Sequence, residues 1–274
     1  MLPDYPTKSH RSCILLLKDI IHIIESAAPL SNQEAWDNSG LQIGDKEASV
    51  SSVLLCTDVT DAIVDEAIAK QVDLIISHHP LLFHGLKTIQ GQTMQERAAI
   101  RCIRAGISIY SSHTSMDCYL HGVSGRLAEQ LGIREYCILH PTLNDQTGYG
   151  VIGELPSPLP FSEFLQLTKA TLGAAAIRYI PPAGGEHTIV SRIAMCGGAG
   201  AEFIDDAIHL QADVYLSADW KHHQFIENAG RIGIMDVGHF ESEQFTKHVI
   251  ASLLADCGLA LYFAEADRSP VKAV

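Results

Sequence analysis

The sequence predicts an α/β fold built from two related domains of similar topology, with mixed sheets flanked by helices. Short, wholly apolar segments alternate with segments of helical periodicity, which is typical of parallel strands covered by helices on both faces. Residues of the first half recur in the second half at a constant spacing, which indicates an internal duplication. A stretch with four of the eleven prolines, residues 141–160, separates a domain of residues 1–140 from a domain of residues 141–274.

The first half opens with a helix, because apolar residues recur at helical spacing from Ile14 to Ile24 and Pro29 ends the pattern. A loop over 32–44 follows. Next come a wholly apolar strand, a helix that Thr60 can cap and a second apolar strand, an order that favours a parallel sheet. The predicted elements after the loop are a strand over 52–56, a helix over 62–70, a strand over 72–76, a helix over 94–105, a strand over 107–110 and a helix over 123–131.

The second half repeats this pattern. Residues of the first half recur 140 positions later, namely Cys56, Asp65, Ala67, Ile68, Gln71, Asp73 and Ser77 as Cys196, Asp205, Ala207, Ile208, Gln211, Asp213 and Ser217. At a second spacing of 126, His113-x-x-x-Asp117 matches His239-x-x-x-Glu243, each just after a short apolar strand. Other predicted elements of this half are a strand over 150–155, a helix over 161–172 and a strand over 177–180.

Composition limits the classes of function. Lys and Arg number 19 against 32 Asp and Glu, and the resulting charge of −13 disfavours binding to nucleic acid or to anionic lipid. No apolar run approaches the length of a membrane-spanning helix. The cysteines lie far apart without a C-x-x-C motif, which is typical of reduced thiols: Cys13, Cys56, Cys102, Cys118, Cys137, Cys196 and Cys257. We therefore expect a cytoplasmic protein with neither a membrane segment nor a nucleic-acid partner.

Histidine and acidic side chains collect at the carboxyl ends of predicted strands, where ligands bind in open α/β sheets. His78 and His79 end one of these strands. Because successive side chains of a strand alternate in direction, the pair can reach two different metal ions, or one ion if the turn bends. A lone histidine at a strand end is more often a hydrogen-bonded structural residue, so this pair alone does not establish a site.

The two His-x-x-x-acid pairs strengthen the case for metal. Residues at i and i+4 share one side of a helix, so each pair can approach a common ion, although the helix dipole alone would also favour an acidic residue in a first turn. Imidazole and carboxylate ligands without thiolate favour Zn, Mn, Fe or Ni, and their number suits two divalent cations better than one tetrahedral site. The candidate residues are His78, His79, His113, Asp117, Asp219, His239 and Glu243.

These motifs resemble the NIF-three-like family, whose members are often named GTP cyclohydrolase 1 type 2 homologs. The resemblance extends over the chain from Trp36 onward. Its motifs, in order, are Trp36-Asp37-Asn38-Ser39-Gly40-Leu41; Ser77-His78-His79-Pro80-Leu81; Ser112-His113-Thr114-Ser115-Met116-Asp117; Gly197-Gly198-Ala199-Gly200; Ser217-Ala218-Asp219 with His223; and Asp236-Val237-Gly238-His239-Phe240-Glu241-Ser242-Glu243.

The resemblance implies a toroidal homohexamer with a dinuclear metal site in the cleft between the two domains. The metal ligands that it implies are His78, His79, Asp117, His239 and Glu243, with Glu243 bridging. His113 matches a family position near the metals that is usually not a ligand. Where the family often has Thr-Gly-Asp or Thr-Gly-Glu, this chain has Ser217-Ala218-Asp219 and so keeps the acid.

The leading hypothesis is a dinuclear-metal-dependent hydrolase, in which two cations generate hydroxide at neutral pH. His113, Asp219 and His223 are the candidate catalytic residues, as proton-transfer or orienting groups. The resemblance implies GTP as a small-molecule substrate, with opening of the guanine imidazole ring and loss of formate; other nucleotide or phosphoester hydrolysis remains compatible. The alternative is a non-catalytic metal-binding or interaction protein for storage, delivery or scaffolding, whose site need not keep an open coordination position.

Overall fold

A computed structural model describes residues 14–144 and 146–273. Cys13 lies outside the described residues. Within them, Cys56, Cys102, Cys118, Cys137 and Cys196 are free thiols.

The first half of the chain alternates strands and helices much as its apolar pattern predicts. Its elements are β1 (Leu15–Leu16), α1 (Leu17–Ala27), β2 (Gly40–Ile43), β3 (Ser49–Val50), β4 (Ser52–Cys56), α2 (Asp61–Lys70), β5 (Leu74–Ser77), α3 (Met94–Ala105), β6 (Ser108–Ser111), α4 (Thr114–Asp117) and α5 (Val123–Gln130). The first helix begins three residues later than predicted, because Leu15 and Leu16 pair with β3 as a short strand. Thr60 caps α2 as expected, since its hydroxyl accepts a hydrogen bond from the backbone N–H of Ile63.

The second half contains longer strands and shorter helices. Its elements are β7 (Tyr136–Asn144), β8 (Thr147–Pro160), α6 (Phe161–Leu172), β9 (Arg178–Ile180), β10 (Ile189–Ala199), α7 (Ile204–His209), β11 (Val214–Ala218), α8 (His222–Asn228), β12 (Gly233–Asp236), α9 (His239–Glu243), α10 (Thr246–Leu253) and β13 (Ala260–Phe263).

Two mixed sheets contain all of these strands except β1 and β3, which pair with each other in a two-stranded antiparallel sheet. The five-stranded sheet has the order β13-β4-β5-β6-β2, and the six-stranded sheet has the order β7-β8-β10-β11-β12-β9. In each sheet three consecutive strands, β4-β5-β6 and β10-β11-β12, run parallel and are followed by an antiparallel strand at the edge. The prediction of two related α/β units with mixed sheets is therefore confirmed.

The duplication extends to individual backbone positions. Gln71 and Gln211 end equivalent helical segments in the left-handed conformation, with φ of 53° and 59°. Asp73 and Asp213 each accept hydrogen bonds from two consecutive backbone N–H groups near the start of the preceding strand, at 2.8–3.1 Å. The constant spacing in the sequence therefore corresponds to one structural unit used twice.

The apolar strands are buried on both faces, as β4 illustrates. Val53 and Leu55 pack in a cluster that includes α1, whereas Leu54 and Cys56 pack in a second cluster that includes α2. A strand with helices on both sides has no face for polar residues, which explains its uninterrupted apolar sequence.

The proline-rich stretch forms strands. Three of its prolines, Pro156, Pro158 and Pro160, lie in the part of β8 beyond Gly153, where the pairing with β7 has ended and only β10 is a neighbour. Proline is tolerated there because a strand edge without a partner does not need its N–H group. The observed strand β8 (Thr147–Pro160) is therefore longer than the strand predicted over 150–155.

The domain boundary after residue 140 stays a prediction. Residue 140 lies inside β7, and β13, from the end of the chain, pairs in parallel with β4 of the five-stranded sheet. Within the described residues, no helix has the length and apolar character needed to cross a bilayer.

Candidate metal centre

The predicted ligands come together where strands of both sheets end. His78 and His79 directly follow β5, and Asp117 is the last residue of α4, which follows β6. His239 and Glu243 are the first and last residues of α9, just after β12. Each of these residues follows the carboxyl end of a strand, which is where ligands bind in open α/β sheets. Both halves of the chain contribute residues to this single site.

One group of ligand atoms consists of His78, Asp117 and Glu243. Nε2 of His78 lies 3.6 Å from Oδ1 of Asp117 and 3.5 Å from Oε1 of Glu243. The three candidate ligand atoms all lie within 4.8 Å of one another, a separation that allows one cation to contact all of them.

A second group consists of His79, His239 and the same Glu243. Oε2 of Glu243 lies 2.9 Å from Nε2 of His79 and 3.1 Å from Nε2 of His239. Oε1 of Glu243 therefore faces His78, whereas Oε2 faces His79 and His239. His239 and Glu243 use the i, i+4 spacing on α9 that the sequence predicts. The adjacent His78 and His79 face different oxygens of Glu243, and together with His113 they form a third candidate group.

Three buried atoms of the site are left without hydrogen-bond partners among the described residues. They are Nε2 of His78, Oδ1 of Asp117 and Oε2 of Glu243. His78 is completely buried and Glu243 is only 3% exposed. Unpaired buried polar atoms cost free energy, and three of them directed at a common space fit the lone-pair donors that a cation requires. The residues present therefore suit a bound pair of metal ions.

The other ring nitrogen of each ligating imidazole is already engaged. Nδ1 of His78 donates to the carbonyl oxygen of Ser112 at 2.9 Å, and Nδ1 of His79 donates to Oδ1 of Asp58 at 2.8 Å. Nδ1 of His239 donates to Oδ2 of Asp219 at 2.7 Å. These bonds fix the tautomer in which Nε2 carries the lone pair and faces the site.

In the protein without metal, the charges around the site favour protonation of the His79 and His239 imidazoles. Burial lowers the pKa of the His79 imidazole, but the carboxylates of Asp58 and Glu243 outweigh burial and raise that pKa to about 10. The pKa of His239 rises to about 9, because Glu243 and Asp219 outweigh the effect of its burial. Burial raises the pKa of Glu243, but the surrounding imidazoles outweigh it and hold that pKa well below its usual range.

His113 lies beside both groups. One of its ring nitrogens is within 4.8 Å of ring nitrogens of His78 and His79, and its Nδ1 donates to Oδ1 of Asp37 at 2.8 Å. Although burial raises the pKa of Asp37, hydrogen bonds from His113 and Thr114 lower it well below its usual range. Asp37 is therefore a stable anion that keeps the proton on Nδ1, which leaves Nε2 of His113 able to accept another.

The remaining predicted catalytic residues differ in their placement. Within the described part of the chain, Asp219 is linked to the site by its hydrogen bond to His239. His223 is exposed on α8 and belongs to none of the candidate ligand groups found among residues 14–144 and 146–273. Its catalytic role stays a prediction.

Two hydrogen-bond partners of the candidate ligand histidines, Asp58 and the carbonyl group of Ser112, are not predicted from the sequence. Asp58 lies just after the end of β4, at the position that His79 occupies after β5. This location at a strand end could have identified Asp58 as a candidate partner of the histidine pair. A backbone carbonyl group carries no such signal, because every residue has one.

The whole arrangement can be compared with known proteins. The chain matches the family model described as Duf34/NIF3 (NGG1p interacting factor 3) over residues 15–270. The chain belongs to the Duf34/NIF3 family.

Relatives of this NIF3 family member cover most of its length. A GTP cyclohydrolase 1 type 2 homolog from Clostridium perfringens is 36% identical over 230 residues, which are 83% of this chain and 86% of the relative. A protein NIF3 homolog from Schizosaccharomyces pombe is 31% identical over 245 residues, which are 85% and 87% of the two chains. The crystal structure of a Bacillus cereus protein related to NIF3 matches with a TM-score of 0.87 at 23% identity, covering 96% of this chain and 100% of its own, and it supports the fold alone.

In this NIF3 family member, the glycine-rich motif at the end of β10 packs against Glu243. Gly198 has a φ of 65°, and a Cβ atom on it would collide with Oε1 of Glu243. The backbone N–H of Gly198 also donates to the hydroxyl of Ser242 at 2.9 Å. The motif therefore brings the backbone close to the shared carboxylate.

The alanine at position 218 does not distort this NIF3 site. Ala218 is the buried last residue of β11, and the left-handed backbone falls on the next residue, Asp219, with φ of 58°. Aspartate tolerates this conformation better than most residues, so no glycine is needed before it.

Proposed function

We propose that this protein is a hydrolase that uses two divalent cations and acts on a nucleotide or a related compound. The observation that carries the proposal is the placement of Glu243, whose two oxygens face separate groups of imidazole ligands. Pairs of cations held by side chains in one site occur in phosphatases, nucleases and aminopeptidases, which are hydrolases.

The assignment of ligands follows from the two groups. His78 and Asp117 would hold one cation, His79 and His239 would hold the other, and Glu243 would contact both. Imidazole and carboxylate ligands without thiolate suit zinc, manganese, iron or nickel. When bound, such cations lower the pKa of a coordinated water toward neutrality and polarise the bond under attack.

The protein's own side chains supply orientation and proton transfer. Asp58 and Asp219 hold the imidazoles of His79 and His239 with Nε2 toward the site. His113 is suited to act as general base, because Asp37 keeps its Nδ1 protonated and stabilises the imidazolium that forms when Nε2 takes a proton from water.

The substrate class comes from the relatives. Several of them are named GTP cyclohydrolase 1 type 2 homolog, including one that is 36% identical to this chain. On this basis we propose GTP as the compound to test first. Hydrolysis of both C–N bonds at the carbon between the two nitrogens of the guanine five-membered ring consumes two water molecules and releases formate.

The decisive variant is Glu243→Gln, which keeps the size of the side chain but removes the charge shared by both groups. We expect the purified protein to contain about two divalent ions per chain and the variant to lose most of them, together with formate release from GTP supplied with Mn or Zn. Metal content is measured by mass spectrometry and formate by a coupled assay.

The matched control is Glu241→Gln on the same helix. Glu241 faces a different cavity and belongs to none of the candidate ligand groups among the described residues, so its variant should retain metal and turnover. Full turnover by Glu243→Gln would exclude the proposed mechanism. Two bound ions without turnover of any nucleotide would favour the alternative of a metal-binding protein without catalysis.

A further inference from the structure

A cavity of about 610 Å³ opens directly beside the candidate metal centre. Asp117, His239 and Glu243 form part of its lining, so a molecule in the cavity would contact the metal-ligating side chains. The volume lies in the range of sites that bind small organic molecules. Oε2 of Glu243 lies 2.9 Å from Nε2 of His79 and 3.1 Å from Nε2 of His239, so the carboxylate shared by the candidate ligand groups is at the side of the cavity next to the candidate metal centre.

Aromatic rings form much of the remaining lining. Trp36 is 58% exposed and Phe83 is 39% exposed, and their ring centroids lie 5.8 Å apart. Tyr149 and Phe203 also line the cavity and stack on each other at 5.4 Å with an angle of 7° between their planes. Large aromatic side chains left open to solvent beside a buried polar site are typical of surfaces that a ligand covers.

Apart from histidines, the titratable residues of the lining with a charge at neutral pH are all acidic. Glu34 and Glu202 line the cavity in addition to the metal-ligating carboxylates, whereas no lysine or arginine does so among the residues that the structure describes. Arg97, which lies near the site in sequence, forms an ion pair with Asp61 instead. Binding sites for polyphosphates normally use arginine, lysine or the free backbone N–H groups of a glycine-rich loop. The glycine-rich motif contributes Gly197 to this lining, but the N–H groups of Gly197 and Gly198 already donate to the hydroxyls of Ser124 and Ser242, at 3.2 and 2.9 Å. They are therefore not free to bind a triphosphate chain.

We propose that the cavity binds a planar nitrogen heterocycle without a triphosphate, namely a free nucleobase or nucleoside, with its ring stacked on Trp36. Glu34 and Glu202 are suited to accept hydrogen bonds from ring N–H and amino groups. This inference rests on the proposed function, because it places the ring beside the same metal centre. It predicts that phosphate groups add little to the binding affinity.

Equilibrium dialysis with labelled guanosine and labelled GTP, on the full chain with the metal it carries when purified, tests the inference. We expect the two probes to bind with similar affinity at low and at high salt. Trp36→Ala should weaken guanosine binding about tenfold or more, because stacking on an aromatic ring carries much of the affinity for a base. Trp36→Phe should restore most of it, since a ring is kept.

Tyr262→Ala is the matched control, because Tyr262 is an aromatic residue of β13 that is 40% exposed and is not part of the cavity lining. It should leave guanosine binding unchanged. The inference is overturned by salt-sensitive GTP binding about tenfold or more tighter than that of guanosine, by failure of guanosine to bind, or by unchanged binding in Trp36→Ala.

Formate release separates this inference from the proposed function. A protein that binds guanosine through Trp36 but releases no formate from any nucleotide keeps the inference and loses the hydrolase proposal. A protein that releases formate from GTP, yet binds only the triphosphate, keeps the hydrolase proposal and overturns the inference.

Discussion

Asp219 adopts a left-handed backbone, with φ of 58°, and its carboxylate accepts a hydrogen bond from Nδ1 of His239 at 2.7 Å. This contact orients the ring that would present Nε2 to a cation in the proposed metal centre. The side chain itself is largely exposed, so its contribution to the site comes from its direction and charge and not from packing.

We expect Asp219→Asn to weaken binding of the cation held by His79 and His239 by about tenfold or more, because the loss of an orienting carboxylate lowers metal affinity. Asparagine also tolerates the left-handed backbone, so the fold should persist. Competition with a metal-binding dye measures the affinity. Asp205→Asn, at an exposed residue paired with Arg231, is the control; equal affinities in the two variants would contradict the role of Asp219.

Metal uptake should release protons. The pKa of His79 is raised to about 10 and that of His239 to about 9, so both imidazoles are protonated at neutral pH in the metal-free protein. A cation binds only the neutral ring. The apparent affinity for metal should therefore rise with pH through this range and fall in acid.

Calorimetry of metal binding in buffers of different ionisation enthalpy measures that release directly, and we expect about two protons per chain at neutral pH. In the metal-free protein the same raised pKa values stabilise the fold fully below 6.5, and this contribution is lost as the pH rises through 9 to 10. Metal binding without proton release would show that the two imidazoles are already neutral.

At the residue scale, the sequence predicts which candidate ligands come together better than it predicts the groups that orient them. Repeated spacing and strand-end position identified His239 and Glu243 from the second half as equivalents of a pair in the first. Asp58 and the carbonyl group of Ser112 are not predicted, because their importance depends on which nitrogen of each histidine faces them. Only the three-dimensional structure shows the orientation of the imidazole rings.

At the scale of elements, the end of β10 and helix α9 form one unit around Glu243. Gly198 allows the carboxylate to approach the backbone, since a Cβ atom there would collide with Oε1. We expect Gly198→Ala to displace Glu243 and to abolish binding of both cations, which elemental analysis of the purified variant measures.

Gly173→Ala separates this effect from backbone strain. Gly173 has the same φ of 65° but has no atom within 4 Å of its added Cβ. Both variants should lose thermal stability from the left-handed backbone, and Gly198→Ala should lose more because its added Cβ also collides with Glu243. Metal binding should be lost only in Gly198→Ala, and equal metal contents in the two proteins would contradict the steric role of Gly198.

Local pattern predicts the mostly apolar central parallel strands better than it predicts a strand that depends on a distant partner. By contrast, β13 has only partly buried or exposed residues and becomes a strand by pairing with β4, from the other end of the chain. The prolines of β8 predict a boundary between domains and not a continuous strand. The strand accommodates them because β7 ends before it reaches them, so their missing N–H groups face no partner strand.

For the whole molecule, assembly into a toroidal homohexamer stays a prediction from the family resemblance. We expect light scattering after size-exclusion chromatography to give about six times the chain mass of 29.8 kDa. A mass that stays at one chain over the accessible concentration range would exclude the assembly. The Glu243→Gln variant, measured in parallel, shows whether the assembly needs bound metal.

The pairing of β13 with β4 also has a consequence for biosynthesis. A ribosome delivers His78 and His79 early, but Glu243 and then β13 emerge only near the end of translation. Until then the sheet that carries the two histidines remains open along β4, and the carboxylate common to both ligand groups is missing. The two candidate ligand groups that include Glu243 can therefore form only when synthesis is almost complete, whereas the group of His78, His79 and His113 lies entirely in the part of the chain that is made first.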